Sequence, residues 1–206
     1  MTRRGRARPD QARPARSGQV TFEVVDDLAG EFAERLVEAF HSRPGQLFQL
    51  GLTGGACARR CYEQLAQHAE TQIDWWLVDA WWVDELDLHL DEPDSHYGMA
   101  RAVLFDVIGA AYALHPLAPD AAEAAALLPD RLDVVHLDLG PDGSLFSAGG
   151  RRLPEAVTER ADVVLVTVAG SDRRDALRAV RAGENVPAAR LVADRQVWLV
   201  ERAAAG

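Results

Sequence analysis

Short apolar runs alternate along the chain with longer stretches whose apolar positions recur at helical spacing. Apolar runs of this length, bounded by turn residues, are typical of strands. They fall at 20–25, 47–52, 76–83, 132–137, 163–168 and 197–200. Helices are predicted to begin at Asp26-Asp27, Gly54-Gly55, Asp94-Ser95, Asp120 and Gly170-Ser171. This order predicts an α/β fold: a mainly parallel, open, Rossmann-like sheet covered by helices on both faces.

Composition divides the chain into a tail and a single domain. Residues 1–17 hold six arginines, one acid and two prolines without apolar periodicity, which predicts a disordered tail. A solvated arm is the expected role of this tail, and contact with nucleic acid or an acidic protein partner is the alternative. Residues 18–206 are long enough to form one domain with its own core.

Charge and residue usage exclude several classes of function. The net charge of −10 argues against nucleic acid as the main partner of the domain. No apolar run is long enough to span a membrane and no signal peptide is recognisable, so we expect a cytoplasmic protein. The sequence contains no lysine, which excludes lysine chemistry. Cys57 and Cys61 are expected to be a reduced packing pair, because no metal-ligand spacing accompanies them.

Chemistry-bearing residues follow the predicted strands. In a parallel sheet, ligands bind beyond the carboxyl ends of the strands. Thr53-Gly54-Gly55, Asp84-Glu85, Asp142-Gly143 and Gly170 all lie at such ends. The Gly54-Gly55 pair, followed by a helix, is suited to a phosphate, since backbone N–H groups and the helix dipole attract anions. A tight strand-to-helix turn without a ligand is the alternative.

Taken in order, these segments resemble the 6-phosphogluconolactonase family, relatives of the glucosamine-6-phosphate deaminases. The likeness covers nearly the whole domain. The segments that carry it are Leu52-Thr53-Gly54-Gly55-Ala56-Cys57, Trp81-Trp82-Val83-Asp84-Glu85-Leu86, Asp94-Ser95-His96-Tyr97, Gly140-Pro141-Asp142-Gly143-Ser144-Leu145-Phe146 and Gly170-Ser171-Asp172-Arg173. The resemblance implies phosphate binding by Gly54, Gly55, Ala56, Cys57 and Arg173. It places Glu85, Gly143 and Ser144 in the substrate loops, and it implies no cofactor and no metal.

The chain departs from the family pattern at several of these positions. The family's histidine after Asp-Gly, which the resemblance implies to be the general base, is missing because Gly143 runs directly into Ser144. Both hydroxyls of the phosphate loop are replaced, by Ala56 and Cys57. Leu86 stands in place of an arginine. The resemblance therefore identifies the chain as a divergent member that lacks the catalytic histidine.

Three residues are candidates for the missing chemistry. His96 is the best stand-in base, and a surface or capping histidine is the alternative. Asp142 can act as a base if burial raises its pKa, or it can simply hold its own turn. Asp84 is expected to orient water or sugar hydroxyls, unless it only caps the next turn. His136 lies in an apolar strand and is expected to be a packed core residue.

Two functions remain open from the sequence. The first is hydrolysis of 6-phospho-D-glucono-1,5-lactone to 6-phosphogluconate in the pentose phosphate pathway, with activity impaired by the lost groups. The second is a non-catalytic relative that binds a sugar phosphate or a protein partner. A deaminase or isomerase of the same superfamily is a third hypothesis, but it needs acid and base groups that the sequence does not reveal.

Overall fold

A computed structural model describes residues 18–147, 150–152 and 155–206. The predicted tail, residues 1–17, lies outside the described residues. The strands are β1 Gln19–Val25, β2 Phe48–Leu52, β3 Val78–Trp82, β4 Asp84–Glu85, β5 Ala113–His115, β6 Leu132–Asp138, β7 Arg151–Arg152, β8 Ala161–Val168 and β9 Arg195–Glu201. The helices are α1 Leu28–Ser42, α2 Ala56–His68, α3 His96–Ala100, α4 Asp106–Ile108, α5 Ala121–Leu127, α6 Arg174–Arg181 and α7 Arg202–Ala205.

Seven of the strands form one sheet in the order β1-β9-β8-β6-β2-β3-β5. Every neighbouring pair runs parallel. The first six residues of β6 are all buried. Because successive side chains of a strand point to opposite faces, both faces of the sheet are covered there. The predicted α/β fold with a parallel, helix-covered sheet is confirmed.

The helices begin where the sequence places their caps. Asp27 accepts a hydrogen bond from the Gly30 amide at 3.0 Å at the start of α1, and Asp120 caps α5 in the same way. Ser95 accepts from the Gly98 amide at 3.1 Å and starts α3. A π-helical turn, Arg101–Phe105, joins α3 to α4, so the predicted helix continues to Ile108.

Three short segments differ from the sequence prediction. The apolar run at 76–83 does not form a strand throughout, because Asp74 accepts from the Trp76 amide at 3.2 Å and sets a 3-10 turn before β3. The edge strand β5 was not predicted, since three residues show no alternation. A separate antiparallel pair, β4 and β7, was also not predicted. It brings residues 150–152 back beside Asp84 and Glu85.

The four tryptophans around β3 lie in different environments. Trp75 and Trp82 are buried in the core, and Trp81 is half-buried with its ring stacked on His115 at a centroid distance of 3.7 Å. Trp76 is 66% exposed. The expectation that most of them are core residues therefore holds for two fully and for one in part. Among the described residues, no helix is long and apolar enough to cross a membrane.

Candidate functional site

A buried carboxylate, Asp84, organises the carboxyl edge of the sheet. It follows β3 and is 1% exposed. Its Oδ1 accepts a hydrogen bond from the Thr53 hydroxyl at 2.7 Å, and its Oδ2 accepts from the Ser147 amide at 3.0 Å. Asp84 therefore joins three loops: the one after β2, its own, and the one after β6.

The third partner of Asp84 is His96, the first residue of α3. Its Nδ1 lies 3.1 Å from the backbone carbonyl oxygen of Asp84 and 3.3 Å from Oδ1 of the same residue. Burial by itself would raise the pKa of Asp84, but the hydrogen bond and charge of His96 lower it below its usual value. The site therefore holds a stable carboxylate at neutral pH.

The protonation pattern of His96 follows from its neighbours. Nδ1 faces two acceptors on Asp84, so the hydrogen-bond network assigns the ring proton to Nδ1. In the neutral ring Nε2 is then an acceptor, and it lies 3.2 Å from the hydroxyl oxygen of Ser147. Burial opposes the charged form, but the hydrogen bond with Asp84 outweighs it and raises the pKa of His96. His96 is thus a histidine whose basicity is increased by a carboxylate.

Glu85 fixes the position of His96 through the backbone amide of that residue. Its Oε1 accepts from the His96 amide at 2.7 Å, and its Oε2 accepts from the Tyr97 amide at 2.9 Å and from the Ser95 hydroxyl at 3.0 Å. The side chain of Glu85 is completely buried. Glu85 therefore caps the first amides of α3 and positions His96, while its place in the substrate loop stays a prediction.

Gly54 makes room for the ring of His96. A Cβ built on Gly54 would lie 2.0 Å from Cδ2 of His96. Packing this tight leaves no space for a side chain at Gly54. The glycine pair therefore has a second role besides any approach to phosphate, because it lets the loop after β2 contact the imidazole directly.

Asp142, the other candidate base, lies on the loop after β6. This carboxylate accepts from the Ser144 hydroxyl at 2.6 Å and from the Ser144 amide at 3.0 Å, and the residue is exposed. The two hydrogen bonds lower the pKa of Asp142. The condition under which it was a candidate base, a pKa raised by burial, is not met. Asp142 holds its turn, and Gly143 takes the positive φ of 77° that the turn requires.

The predicted phosphate-binding groups lie around the start of α2. Gly55 has φ 97° and is the N-cap of this helix, so it cannot cap the first amides with a side chain. Ala56 is exposed, whereas the Cys57 thiol is buried and forms a packing pair with Cys61. A hydrogen bond with Cys61 lowers the pKa of Cys57. What this segment can offer an anion is its backbone N–H groups.

Arg173 supplies positive charge near the same end of the sheet. Its guanidinium contacts Asp172 at 2.5 Å and donates from Nε to the carbonyl oxygen of Leu139 at 3.3 Å. Asp138, the last residue of β6, lies close enough to interact with this charge. Burial raises the pKa of Asp138 to about 6.

A second buried histidine, His136, lies in the core beside this site. His136 lies in β6 with no exposed surface, and its ring nitrogens lie 3.0 Å from the Tyr62 hydroxyl and 3.0 Å from the Thr167 hydroxyl. Burial lowers its pKa to about 3. The prediction that His136 is a packed core residue is confirmed.

Sequence reasoning missed two members of the site. The Thr53 hydroxyl follows β2, and this position is the one sequence signal for its contact with Asp84. No sequence motif points to Ser147. The position of Ser147 depends on the return of the chain from β6 to β7, and no local sequence pattern predicts that return.

Comparisons with known proteins show the family of the chain. The family profile described as glucosamine-6-phosphate isomerases/6-phosphogluconolactonase matches residues 20–150. The chain belongs to this family. A 6-phosphogluconolactonase from Aggregatibacter actinomycetemcomitans is 25% identical, with 90% of this chain and 97% of that protein covered. Another, from Haemophilus influenzae, is 26% identical, with 88% and 94% covered.

The same fold occurs in solved structures. A 6-phosphogluconolactonase from Thermotoga maritima superposes with a TM-score of 0.76 at 18% identity, covering 89% of this chain and all of that one. A monomeric glucosamine-6-phosphate deaminase superposes with a TM-score of 0.74 at 16% identity, covering 91% and 98%. At such identities the likeness establishes the fold, and members of both activities share it.

Proposed function

We propose that this protein hydrolyses 6-phospho-D-glucono-1,5-lactone to 6-phosphogluconate, with His96 in place of the histidine that is missing after Gly143. The observation that carries the proposal is the contact between His96 and Asp84 at the carboxyl edge of the sheet. With a carboxylate on Nδ1, Nε2 can accept a proton from a hydroxyl group, which is the arrangement that a general base needs.

The substrate would lie across the loops that follow β2, β3 and β6. We assign its phosphate to the backbone amides of Gly55, Ala56 and Cys57 at the start of α2, together with Arg173. The helix dipole and the guanidinium both favour an anion there. Gly54 separates this end from His96, so the lactone carbonyl would lie toward the imidazole.

The proton path follows from the tautomer. The oxygen of the attacking hydroxyl group forms a bond to C1 of the lactone, and Nε2 of His96 takes the proton of that hydroxyl group. When the bond between C1 and the ring oxygen breaks, the same proton passes to the ring oxygen, which becomes the C5 hydroxyl. Asp84 stabilises the imidazolium that exists between the two transfers.

Turnover of the lactone, coupled to 6-phosphogluconate dehydrogenase with the spontaneous rate subtracted, tests the proposal. We expect wild-type turnover above the spontaneous rate, and a decrease of about 10²- to 10⁴-fold in His96→Ala, because that is the usual contribution of a general base. His89→Ala is the matched control, since His89 lies in the loop before α3 with its side chain 75% exposed. A wild-type rate equal to the spontaneous rate would refute the proposal, and a collapse in Asp142→Asn instead would move the base to Asp142.

A non-catalytic sugar-phosphate binder is the second candidate. The carboxylate of Asp138 near the proposed phosphate site, and Leu86 where the family has an arginine, both favour it. Thermal unfolding with 6-phosphogluconate separates the candidates if turnover is absent. A ligand at 100 times its dissociation constant stabilises the fold by about 2.7 kcal/mol, whereas a protein that serves only as a partner surface would show no shift.

A further inference from the structure

The hydroxyl of Ser147 completes a chain of three side chains that begins at Asp84. Its oxygen lies 3.2 Å from Nε2 of His96, and Nδ1 of His96 lies 3.3 Å from Oδ1 of Asp84. The three residues come from β4, from the start of α3 and from the loop after β6, and 51 positions separate Ser147 from His96. Serine, histidine and aspartate in this order form the arrangement that activates a serine for acyl transfer.

The backbone of Ser147 is fixed by the same carboxylate. Its amide donates to Oδ2 of Asp84 at 3.0 Å, while Oδ1 of Asp84 faces His96 and accepts from Thr53. One buried carboxylate therefore sets both the ring orientation and the position of the hydroxyl. Reacting groups held in this way need little reorganisation before a reaction.

Burial decides which atom can contact a substrate. His96 is 2% exposed, and both of its ring nitrogens already have protein partners. Ser147 is half-buried and stands at the outer end of the chain of contacts. A substrate carbonyl therefore meets the serine hydroxyl before it meets the imidazole.

We propose that Ser147 is a covalent nucleophile, activated by His96 and Asp84, for lactone and ester carbonyl groups. This inference rests on the proposed function and specifies how its attacking group is supplied. The resulting intermediate is an ester between Ser147 and the acyl group of the substrate.

The reaction balances in two half-reactions. Oγ of Ser147 forms a bond to C1 of the lactone and gives its proton to Nε2 of His96, and the bond between C1 and the ring oxygen breaks as that oxygen takes the proton. Water then attacks the ester carbonyl and gives a proton to Nε2. The bond between C1 and Oγ breaks, Oγ recovers the proton, and 6-phosphogluconic acid leaves and ionises.

Labelling with phenylmethylsulfonyl fluoride, followed by peptide mass spectrometry, tests the nucleophile without depending on lactone turnover. Ser147 should form the sulfonyl ester with release of fluoride. The labelling rate should decrease about 100-fold or more in His96→Ala, because the base is lost. Ser42 is the internal control, since its exposed hydroxyl donates to the backbone carbonyl oxygen of Glu38 rather than to a histidine. No modification of Ser147, or modification at the same rate in His96→Ala, would overturn the inference.

Lactone turnover in Ser147→Ala separates this inference from the proposed function. If Ser147 is the nucleophile, its loss should reduce turnover at least as much as His96→Ala does, because residues that act as a unit are not additive. Turnover that survives in Ser147→Ala but collapses in His96→Ala would overturn the inference and leave the proposed function intact. Labelling of Ser147 without any wild-type lactone turnover would support the nucleophile and reject the lactone as its substrate. In both variants, circular dichroism and the melting temperature establish that the protein is folded.

Discussion

His96 and His136 are both buried histidines near the same edge of the sheet, yet their surroundings give them opposite chemistry. His96 is 2% exposed and faces the carboxylate of Asp84, and its pKa is raised. His136 has no exposed surface and faces two neutral hydroxyls, and its pKa is lowered to about 3. Burial is common to both, so the charge of the partner decides whether the ring is a base.

The two rings also contribute to stability with opposite pH dependence. The contribution of His96 is fully present below its unfolded pKa of 6.5 and is lost as the pH rises through its higher folded pKa. His136 has the opposite dependence, because its ring binds a proton below pH 6.5 in the unfolded chain but stays neutral there in the folded protein. Its contribution is present above pH 6.5 and is lost as the pH falls toward about 3.

Replacing the core histidine should give the largest loss of stability. His136→Ala leaves a cavity against Phe32, whose ring centroid lies 4.4 Å from that of His136. Truncating a filled core side chain of this size to alanine lowers the unfolding free energy by about 3 kcal/mol. Urea unfolding measures the loss, and turnover per folded molecule should be retained.

His89→Ala is the control for that comparison. Because the side chain of His89 is exposed, its removal should change the unfolding free energy by less than about 0.5 kcal/mol. If His136→Ala cost no more than this control, His136 would not be a core residue, and the contrast with His96 would fail.

A smaller effect is expected at the contact between the glycine loop and His96. Gly54→Ala places a methyl group 2.0 Å from the ring, which overpacks the site and should cost about 2 kcal/mol. Because His96 has to move, turnover should fall in the same variant.

Gly45→Ala is the matched substitution. Its Cβ would find the nearest atom, the carbonyl oxygen of Leu47, at an ordinary 3.5 Å. This variant should match the wild type in stability and in turnover. Wild-type behaviour of Gly54→Ala as well would contradict the packing described for His96.

The sequence predicts those parts of the fold that local patterns determine. The apolar runs and the caps Asp27, Ser95 and Asp120 lie in the printed chain itself, and the corresponding strands and helices are found. The pairing of β4 with β7 is different. It depends on Gly150, where a Cβ would lie 2.4 Å from the carbonyl oxygen of Glu85, and this close approach is invisible before the chain is folded.

The candidate site shows the same division. Asp84 and His96 are named from the sequence, because Asp84 follows a predicted strand and both residues lie in segments that carry the family resemblance. Ser147 is missed because it reaches them only through the return of the chain to β7. For Asp142 the sequence shows neither its exposure nor the two hydrogen bonds from Ser144 that lower its pKa.

Nitrogen-15 NMR of the histidine rings across a pH titration tests most directly the central claim that Asp84 makes His96 a base. Resonances of His96 and His136 are assigned from the His96→Ala and His136→Ala variants. We predict that His96 titrates above pH 6.5 with its neutral form protonated at Nδ1, that Asp84→Asn lowers this pKa, and that His136 stays neutral until the pH approaches its pKa of about 3. A wild-type His96 that titrates at or below pH 6.5, or whose pKa is unchanged in Asp84→Asn, would contradict the account.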